Sequence, residues 1–539
     1  MSFRGVKGLQ LVLIFGLLIP SVYFSVHLPI FTDEVAWKWI TSRWWSDGGY
    51  SISLYPQCSI SGQAKIPLMF VPVRIVDSLL YGTPRSIFLL RYIGVCFCFL
   101  WFMVLYRFIK VVSTVRQVNK MELLTVTLTI SLFGVLPFIL VMNRPEQILR
   151  LCMTTLVCLP LIDITNELKR FVIAMGFLFL SLMLFAQHAK SLFFLPVVVF
   201  TALNLKMSIR QRQVLLVTAM SFSIQGYLFF MEHTKCTNDF IKSAFGKMMI
   251  SPETMLVSPT QAIGSMVANG LRFGDYVKGI LFFDNYPEQW LPENYGFAFG
   301  TKILNVLMAM FFVAWVVASC WGIIRKSIWK REAGRGLFLS DLGLVVLLSL
   351  GGLAVCQTSK SFYESALVIP IVIVVGISCI NIKVIQVLAK ISLVLATASV
   401  CLVGYRFWPI LKNDWTGESA LSRQEYSVKS HYQRAIKDRA LSLAARCGIQ
   451  DSNIKRHLVV DDLTYPYFIN TVEPYHAVYV LGWWGKMSIP SPAEFLKARN
   501  SSGVLSQCKW LPESMLGKAF REGDLCCLPT FGTLPSESP

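Results

Sequence analysis

Long apolar runs, each about the length of a membrane-crossing helix, alternate along the chain with polar links. A helix needs about 20 mostly apolar residues to cross the hydrocarbon core of a bilayer. This pattern predicts eleven membrane spans, near residues 8–28, 86–106, 122–142, 147–163, 171–187, 191–205, 214–231, 303–324, 337–356, 365–382 and 386–408. The first run is long for a signal peptide and no clear cleavage site follows it, so we expect it to remain as a span.

Three polar segments are much longer than the others: residues 29–85, residues 232–302 and the tail, residues 409–539. Within the tail, an amphipathic helix is predicted over 432–447, and strands over 457–460, 477–481 and 523–528. The predicted fold is therefore a polytopic α-helical membrane module over residues 1–408, followed by a small α/β domain over residues 409–539.

Composition agrees with a membrane protein. Of 539 residues, 54% are hydrophobic and 15% are charged, against about 25% charged in soluble domains. These values exclude a disordered chain, a coiled coil and a small disulfide-rich secreted protein. The formal charge of +19 fits cytoplasmic loops rich in Lys and Arg. Because no basic segment carries a nucleic-acid recognition motif, we expect membrane lipids, and not nucleic acid, as partners.

The distribution of basic residues orients the spans. With a cytoplasmic N-terminus, every short inside link carries Lys or Arg, whereas the short outside links carry little more than Arg144, Lys190 and Lys360. Eleven crossings then place the tail outside. Four of the six cysteines in outside segments, Cys447, Cys508, Cys526 and Cys527, lie in the tail, which predicts one or two disulfides there. Cys58 and Cys236 are the other two.

Asp33 and Glu34 form an acidic pair where the chain leaves the first span. An ionised carboxylate at this depth needs a partner, water or a metal. The alternative interpretation is a solvated loop end, in which Thr32 or Asp33 caps a helix. Trp37 follows, with Trp39, Trp44 and Trp45 after it, and these aromatics suit an interfacial belt, acyl chains or a sugar ring equally.

Three short outward turns carry the other candidates. Arg144 and Glu146 flank Pro145, and an Arg at this rim could hold a phosphate or be a snorkelling anchor. His188 and Lys190 lie between the fifth and sixth spans, in a turn that Ser191 could equally cap. Lys360 and Tyr363 lie between the ninth and tenth spans, where they could grip a diphosphate or a sugar, or be loop residues.

This order of features resembles the GT-C superfamily of integral-membrane glycosyltransferases. The features are the outward acidic pair Asp33-Glu34, the aromatic stretch, many spans with short turns, the Arg144-Pro145-Glu146 turn and an outer tail. The dolichol-mannosyltransferase His-Lys-Glu signature is not evident and the Trp-Trp-Asp signature of oligosaccharyltransferases is absent. The resemblance therefore implies a bacterial inner-membrane enzyme with a periplasmic active site and tail domain.

The resemblance also implies the chemistry. A polyprenyl-phosphate sugar would be the donor, and an envelope glycan such as lipopolysaccharide, or a lipid, the acceptor. Asp33 would be the general base, with Glu34 as the alternative. Candidates for binding the donor phosphate are Arg144, His188, Lys190 and Lys360, and candidates for contacting the substrate are Trp37, Glu146 and Tyr363. Some relatives hold a divalent cation at the acidic residues and others do not, so a metal cofactor is left open.

Two other functions remain alternatives. A transporter or flippase of a lipid-linked saccharide would show broken helices and buried charges near the middle of the membrane. The predicted spans hold few charges, most of them at the outer ends. An O-antigen ligase or polymerase also uses outward Arg and His, and segment 232–302 would suit it, but it does not need an acidic pair after the first span.

Overall fold

The structure is a computed structural model. It describes residues 3–27, 34, 37–38, 41, 50–51, 63–64, 66–82, 87–233, 249–250, 252–282, 298–329, 334–416, 434–449, 458–461, 464, 474–476, 501, 503–511, 513–523 and 525–529. Several residues singled out above lie outside these ranges: Asp33, Trp39, Trp44, Trp45, Cys58, Cys236 and the predicted strand 477–481.

The described chain is mostly helical. In chain order its helices are α1 (Phe3–His27), α2 (Val71–Asp77), α3 (Ile87–Arg116), α4 (Lys120–Ile130), α5 (Leu136–Val141), α6 (Glu146–Cys158), α7 (Glu167–Gln187), α8 (Leu195–Asn204), α9 (Ile209–His233), α10 (Pro252–Val257), α11 (Pro259–Leu271), α12 (Asp275–Lys278), α13 (Ala298–Ile323), α14 (Arg335–Cys356), α15 (Ser365–Cys379), α16 (Ile382–Thr416), α17 (Arg434–Arg446) and α18 (Glu513–Leu516). Short 3-10 helices, Ala189–Phe194 and Phe362–Glu364, lead into α8 and α15.

Seven helices in the described ranges are long and apolar enough to cross a membrane: α3, α7, α9, α13, α14, α15 with its preceding turn, and α16. The remaining predicted spans fall on α1, on α4 and α5, on α6, and on α8. The apolar stretches Val12–His27 and Ala189–Asn204 are shorter than the seven. A polytopic helical fold is thus confirmed, whereas the count of eleven spans is not.

The third predicted span is broken, and the prediction of one continuous helix over 122–142 was wrong. Helix α4 ends at Ile130 and α5 begins at Leu136. Gly134 between them has φ +53°, a conformation that favours glycine. The amide of Val135 donates to the carbonyl of Ile280, 2.9 Å away, so a segment between α12 and α13 replaces the lost helical hydrogen bond.

The ends of the long helices meet in two groups. In one group, Arg116, the last residue of α3, donates to Ser340 Oγ in α14 at 2.8 Å, and Lys206 after α8 pairs with Asp163 before α7. We call it the basic end. The opposite end contains residues 142–147, 187–190 and 357–364, whose side chains contact one another as described below. We call it the network end.

Helix α15 lies at the centre of the bundle, and all 15 of its residues are buried. Its sequence is apolar on every face, which is typical of a helix surrounded by others. A Cβ at Gly376 would lie 2.2 Å from the ring of Trp315, and the Trp315 indole donates to the Val372 carbonyl at 3.0 Å. The turn Phe362–Glu364 leads directly into this buried helix.

The tail contains a small mixed sheet. Two short strands, β1 (Tyr50–Ser51) and β2 (Gln63–Ala64), pair elsewhere, and the tail holds β3 (Leu458–Val460), β4 (Pro474–His476), β5 (Gly503–Gln507), β6 (Phe520–Glu522) and β7 (Leu525–Pro529). Their order is β4-β3-β5-β7-β6, with β3 parallel to β4 and β5, and β7 antiparallel to β5 and β6. Helix α17 packs on β6 and β7, and corresponds to the predicted helix 432–447.

Disulfides close the tail sheet. Cys447 at the end of α17 bonds to Cys527 in β7, and Cys508 after β5 bonds to Cys526. The prediction of one or two bridges in the tail is therefore confirmed. Through Cys527 and Cys526, which are adjacent in the chain, β7 is thus linked to the end of α17 and to the segment after β5.

Candidate functional site

The turn between α5 and α6 is the hub of the network end. Met142 leaves the helical conformation and Pro145 restores it, with φ −59°, so α6 begins at Glu146. This leaves four polar side chains, Asn143, Arg144, Glu146 and Gln147, within one short bend. Each contacts a different neighbour, because the bend is surrounded by the ends of other helices.

Asn143 joins the hub to the residue after Asp33. Its side-chain amide donates to the backbone carbonyl of Glu34, 3.2 Å away. The Glu34 carboxylate is itself fully buried and accepts two hydrogen bonds from Arg91, at 2.9 and 2.7 Å. Two parallel hydrogen bonds fix both distance and orientation. Glu34 therefore anchors the chain after α1 to α3 and to the hub.

Lys190 bridges two buried carboxylates at the centre of the site. Its Nζ lies 3.3 Å from Glu146 Oε1 and 2.6 Å from Glu364 Oε1. The side chain of Lys190 is 7% exposed, and those of Glu146 and Glu364 are 0% and 4% exposed. A single carboxylate removed from water this completely needs a counter-ion. Lys190 supplies it to both, and thereby holds α6, the turn before α8 and the turn before α15 together.

Glu364 belongs to a chain of hydrogen bonds that reaches the segment after α11. Gln357 Nε2 donates to Glu364 Oε1 at 2.5 Å, and the Tyr276 hydroxyl donates to Gln357 Oε1 at 2.6 Å. Burial, and then the nearby charge of Glu364, raise the pKa of the Tyr276 hydroxyl, which keeps it a donor. Glu364 Oε2 is buried without a hydrogen-bond partner among the described residues.

Arg144 covers the face of Tyr363. The guanidinium carbon lies 4.0 Å from the ring centre, and Lys190 Nζ lies 5.3 Å from it. Arg144 Nε is also 3.5 Å from Glu146 Oε2. The side chain of Arg144 is 13% exposed, more than those of Lys190, Glu146 or Glu364. The ring holds the guanidinium in one plane, and part of it stays accessible from outside the network.

His188 and Lys360 lie at the edges of the site. His188 Nδ1 accepts from the Lys190 amide at 3.2 Å, so the imidazole caps the short helix that carries Lys190. Lys360 Nζ donates to the carbonyls of Asn269 and Gln357, both at 3.0 Å. Burial, and then the charge of Arg272, lower the pKa of Lys360. Lys360 thus reaches the site through Gln357.

A second buried ion pair lies next to the last residue of α7, Gln187. Arg74 Nη1 is 2.9 Å from Asp77 Oδ2, and Gln187 Nε2 donates to Asp77 Oδ1 at 2.7 Å. Burial raises the pKa of Asp77 to about 6, although the Arg74 charge and the Gln187 hydrogen bond both act to lower it. Gln187 directly precedes His188, so this pair holds the turn that carries His188 and Lys190.

The structure brings together most of the predicted residues. Four of them are in direct contact: Arg144, Glu146, Lys190 and Tyr363. His188 contacts the backbone of Lys190, and Lys360 is connected to the group through Gln357. Trp37 is described and buried, 6% exposed, and does not face lipid. Asp33 lies outside the described residues.

Sequence reasoning missed Glu364, Gln357, Tyr276 and Arg91 as site residues. The available signal was a charged residue inside or beside an apolar run, which Glu364 and Arg91 both provide.

A metal site does not emerge from the described ranges, in which no three His, Cys, Asp or Glu side chains are grouped. The two central carboxylates, Glu146 and Glu364, have Lys190 as their shared counter-ion. The acidic pair named from the sequence is only half described, since Asp33 is not included.

No protein-family model and no curated protein matches the sequence. Two solved structures of the oligosaccharyltransferase of Archaeoglobus fulgidus match, one in complex with zinc and sulfate and the other with an inhibitory peptide and a dolichol-phosphate. Identity is 10% in both, TM-scores are 0.39 and 0.37, and coverage is 97% and 99% of this chain and 74% and 76% of theirs. At this level the likeness assigns neither a family nor residue roles.

Proposed function

We propose that the protein is a membrane glycosyltransferase of the GT-C type. It transfers a sugar from a polyprenyl-phosphate donor to an envelope glycan or lipid acceptor at the periplasmic face of the inner membrane. The observation that carries this proposal is the hydrogen bond from Asn143 to the Glu34 carbonyl. This contact joins the residue after Asp33 to the residue before Arg144, which supports the proposal that a candidate base and a candidate phosphate ligand share one site.

In the proposed reaction, Asp33 accepts the proton of the acceptor hydroxyl. The acceptor oxygen then bonds to C1 of the donor sugar while the bond from C1 to the phosphate oxygen breaks, with inversion at C1. The lipid phosphate leaves with the bonding electron pair. Arg144 stabilises the negative charge that grows on this phosphate.

The contacts divide the remaining roles. Glu34 is occupied by Arg91 in a bidentate pair, so we propose it as the anchor of Asp33 and not as the base. Lys190 is occupied by two carboxylates, so we propose that it fixes Glu146 and Glu364 while Arg144 contacts the phosphate. The Tyr363 ring packs against the Arg144 guanidinium and orients it, and we propose that the edge of this ring contacts the sugar.

Two features support the proposed orientation. Disulfides form and persist in oxidising compartments, and the tail contains two of them. The basic end carries Lys and Arg in each short link, as cytoplasmic loops do. Both features support the proposal that the network end and the tail lie outside the cytoplasm.

The test uses purified full-length protein and a polyprenyl-phosphate sugar as donor. We expect Asp33→Asn to abolish sugar transfer while the protein still inserts and purifies like the wild type. The matched control is Asp163→Asn, which removes an exposed carboxylate at the basic end and should leave transfer unchanged. Full activity of Asp33→Asn would reject Asp33 as the base.

One observation favours the alternative of a lipid-linked saccharide transporter. The span containing α4 and α5 is broken, and Arg150 in α6 is fully buried with no ion-pair partner in the described ranges. Arg150 instead lies over Trp101, 5.4 Å from the ring centre, and donates to the Leu140 carbonyl at 3.2 Å. Mass analysis of surface glycans, with and without the protein, separates the two functions: a transferase adds one sugar mass, and a transporter does not.

A further inference from the structure

A second charged concavity lies at the basic end, beside the start of α7, whereas α7 ends at Gln187 in the network end. It is a hollow open to solvent between the start of α7, the end of α8 and the start of α9. Its lining consists of Arg170, Leu205, Lys206, Met207, Ser208, Gln211 and Arg212. Every polar residue of this lining is either basic or neutral.

The hollow is a built structure and not a chance arrangement of loose side chains. Ser208 Oγ accepts from the Gln211 amide at 3.3 Å, and Gln211 Oε1 accepts from the Ser208 amide at 3.1 Å, a reciprocal cap at the start of α9. Arg212 donates to the Leu203 carbonyl at 2.5 Å, which fixes the guanidinium against the end of α8. The N-terminus of the 25-residue helix α9 adds its own partial positive charge.

The acidic residues nearby leave the hollow positive. Asp163 pairs with Lys206 and Glu167 pairs with Arg170, but these carboxylates are 64% and 81% exposed and do not line the hollow. Exposed pairs of this kind are weak, so an incoming anion can displace either carboxylate. Arg212 has no ion-pair partner in the part of the chain that the structure describes.

Exposed apolar side chains follow the basic residues along both α7 and α9. On α7 these are Phe171, Met175 and Phe179, and on α9 Val214 and Val217. Since α7 and α9 pack against each other, acyl chains have exposed apolar side chains of two neighbouring helices within a few turns of the hollow. A soluble anion would use only the hollow, whereas a phospholipid would use both.

We propose that this hollow binds the phosphate headgroup of an anionic phospholipid, whose acyl chains lie along α7 and α9. Arg170, Lys206 and Arg212 contact the phosphate oxygens, and the capped start of α9 contributes its dipole. The site is independent of the proposed sugar transfer, since none of its residues belongs to the network end. Its partner is the leaflet that faces the basic end.

The test is native mass spectrometry of the full-length protein, titrated in detergent with short-chain phosphatidylglycerol, phosphatidylcholine or inorganic phosphate. We expect phosphatidylglycerol to bind more tightly than phosphatidylcholine. Removing one basic side chain should weaken this binding roughly fivefold, and the triple variant Arg170→Gln, Lys206→Gln, Arg212→Gln roughly a hundredfold. The matched control, Arg107→Gln, Lys110→Gln, Lys383→Gln, removes three exposed charges from the same end and should bind like the wild type.

Either of two results would overturn the proposal. Equal weakening in the two triple variants would show that only the overall charge of the basic end matters. Displacement of phosphatidylglycerol by inorganic phosphate at comparable concentrations would show that the hollow takes a free anion. If the triple variant does not fold, Lys206→Gln alone decides, because the ion pair of Lys206 with Asp163 is exposed and its loss should not unfold the protein. Unchanged binding in that variant also counts against the site.

Discussion

At the scale of single residues, the site depends on how burial pairs charges that the sequence keeps apart. The Arg144-Pro145-Glu146 turn and Lys190 could be predicted, because polar residues between apolar runs mark helix ends. The partnership of Lys190 with Glu364 could not, because no short-range pattern reports which helix ends meet in space. The same holds for Glu34 and Arg91, which lie on opposite sides of a long loop.

The partial accessibility of Arg144 leads to a kinetic prediction. Arg144→Ala should raise the KM for the polyprenyl-phosphate donor by roughly 10- to 100-fold, because a charged hydrogen bond to phosphate contributes about 1.5–3 kcal/mol. The KM for the acceptor should change little. Arg144→Lys keeps the charge but loses the two-point contact with the phosphate. Its KM for the donor should therefore lie between those of the wild type and Arg144→Ala. Steady-state kinetics with each substrate varied in turn will measure both KM values. An unchanged KM for the donor would show that Arg144 does not bind the phosphate.

The buried pair of Glu34 and Arg91 leads to a stability prediction. Arg91→Met should lower the free energy of unfolding by about 3–5 kcal/mol, since it leaves the Glu34 carboxylate buried without its bidentate partner. The double variant Glu34→Leu, Arg91→Met removes both charges and should recover most of this loss. Thermal unfolding in detergent compares the three proteins. If the double variant is no more stable than Arg91→Met, the unpaired Glu34 carboxylate is not the main cause of the stability loss.

At the scale of elements, apolar runs located the helices but not their interruptions. Seven long helices and the tail helix α17 lie where the pattern predicts them, because length and amphipathicity are properties of the local sequence. The break between α4 and α5 depends on a distant carbonyl, that of Ile280, which takes over a hydrogen bond of the broken helix. Gly134 was a local sign of the break, but a lone glycine is common in membrane helices.

Gly134→Ala tests whether the break is a fixed part of the fold. A Cβ there would lie 1.8 Å from the Ile280 carbonyl oxygen, and φ is +53°, so both contact and conformation oppose the substitution. We expect a loss of about 2 kcal/mol or more in the free energy of unfolding. The control is Gly176→Ala in α7, where a Cβ meets nothing within 4 Å and helix propensity favours alanine. Equal melting temperatures for the two variants in detergent would contradict the described break.

At the scale of the whole molecule, connectivity predicts on which side of the bundle each short link lies, and the distribution of Lys and Arg predicts which side faces the cytoplasm. The sequence therefore predicts which short links lie together at each end of the bundle. The convergence of three turns and the Glu34 anchor into one network could not be predicted, because it depends on how α15 packs at the centre of the bundle. The sheet order of the tail was also beyond reach, since its strands are too short to specify their partners.

The orientation of the whole molecule can be tested with two tags on otherwise identical full-length proteins. An odd number of crossings puts the N-terminus and the C-terminus on opposite sides. We expect a tag before Met1 to be protected in cells with an intact inner membrane, and a tag after Pro539 to be accessible to protease or antibody from the periplasm. The two tail disulfides favour the same placement, because disulfides form and persist mainly in oxidising compartments. Protection of both tags would mean an even number of crossings, and would move the network end or the tail to the cytoplasmic side.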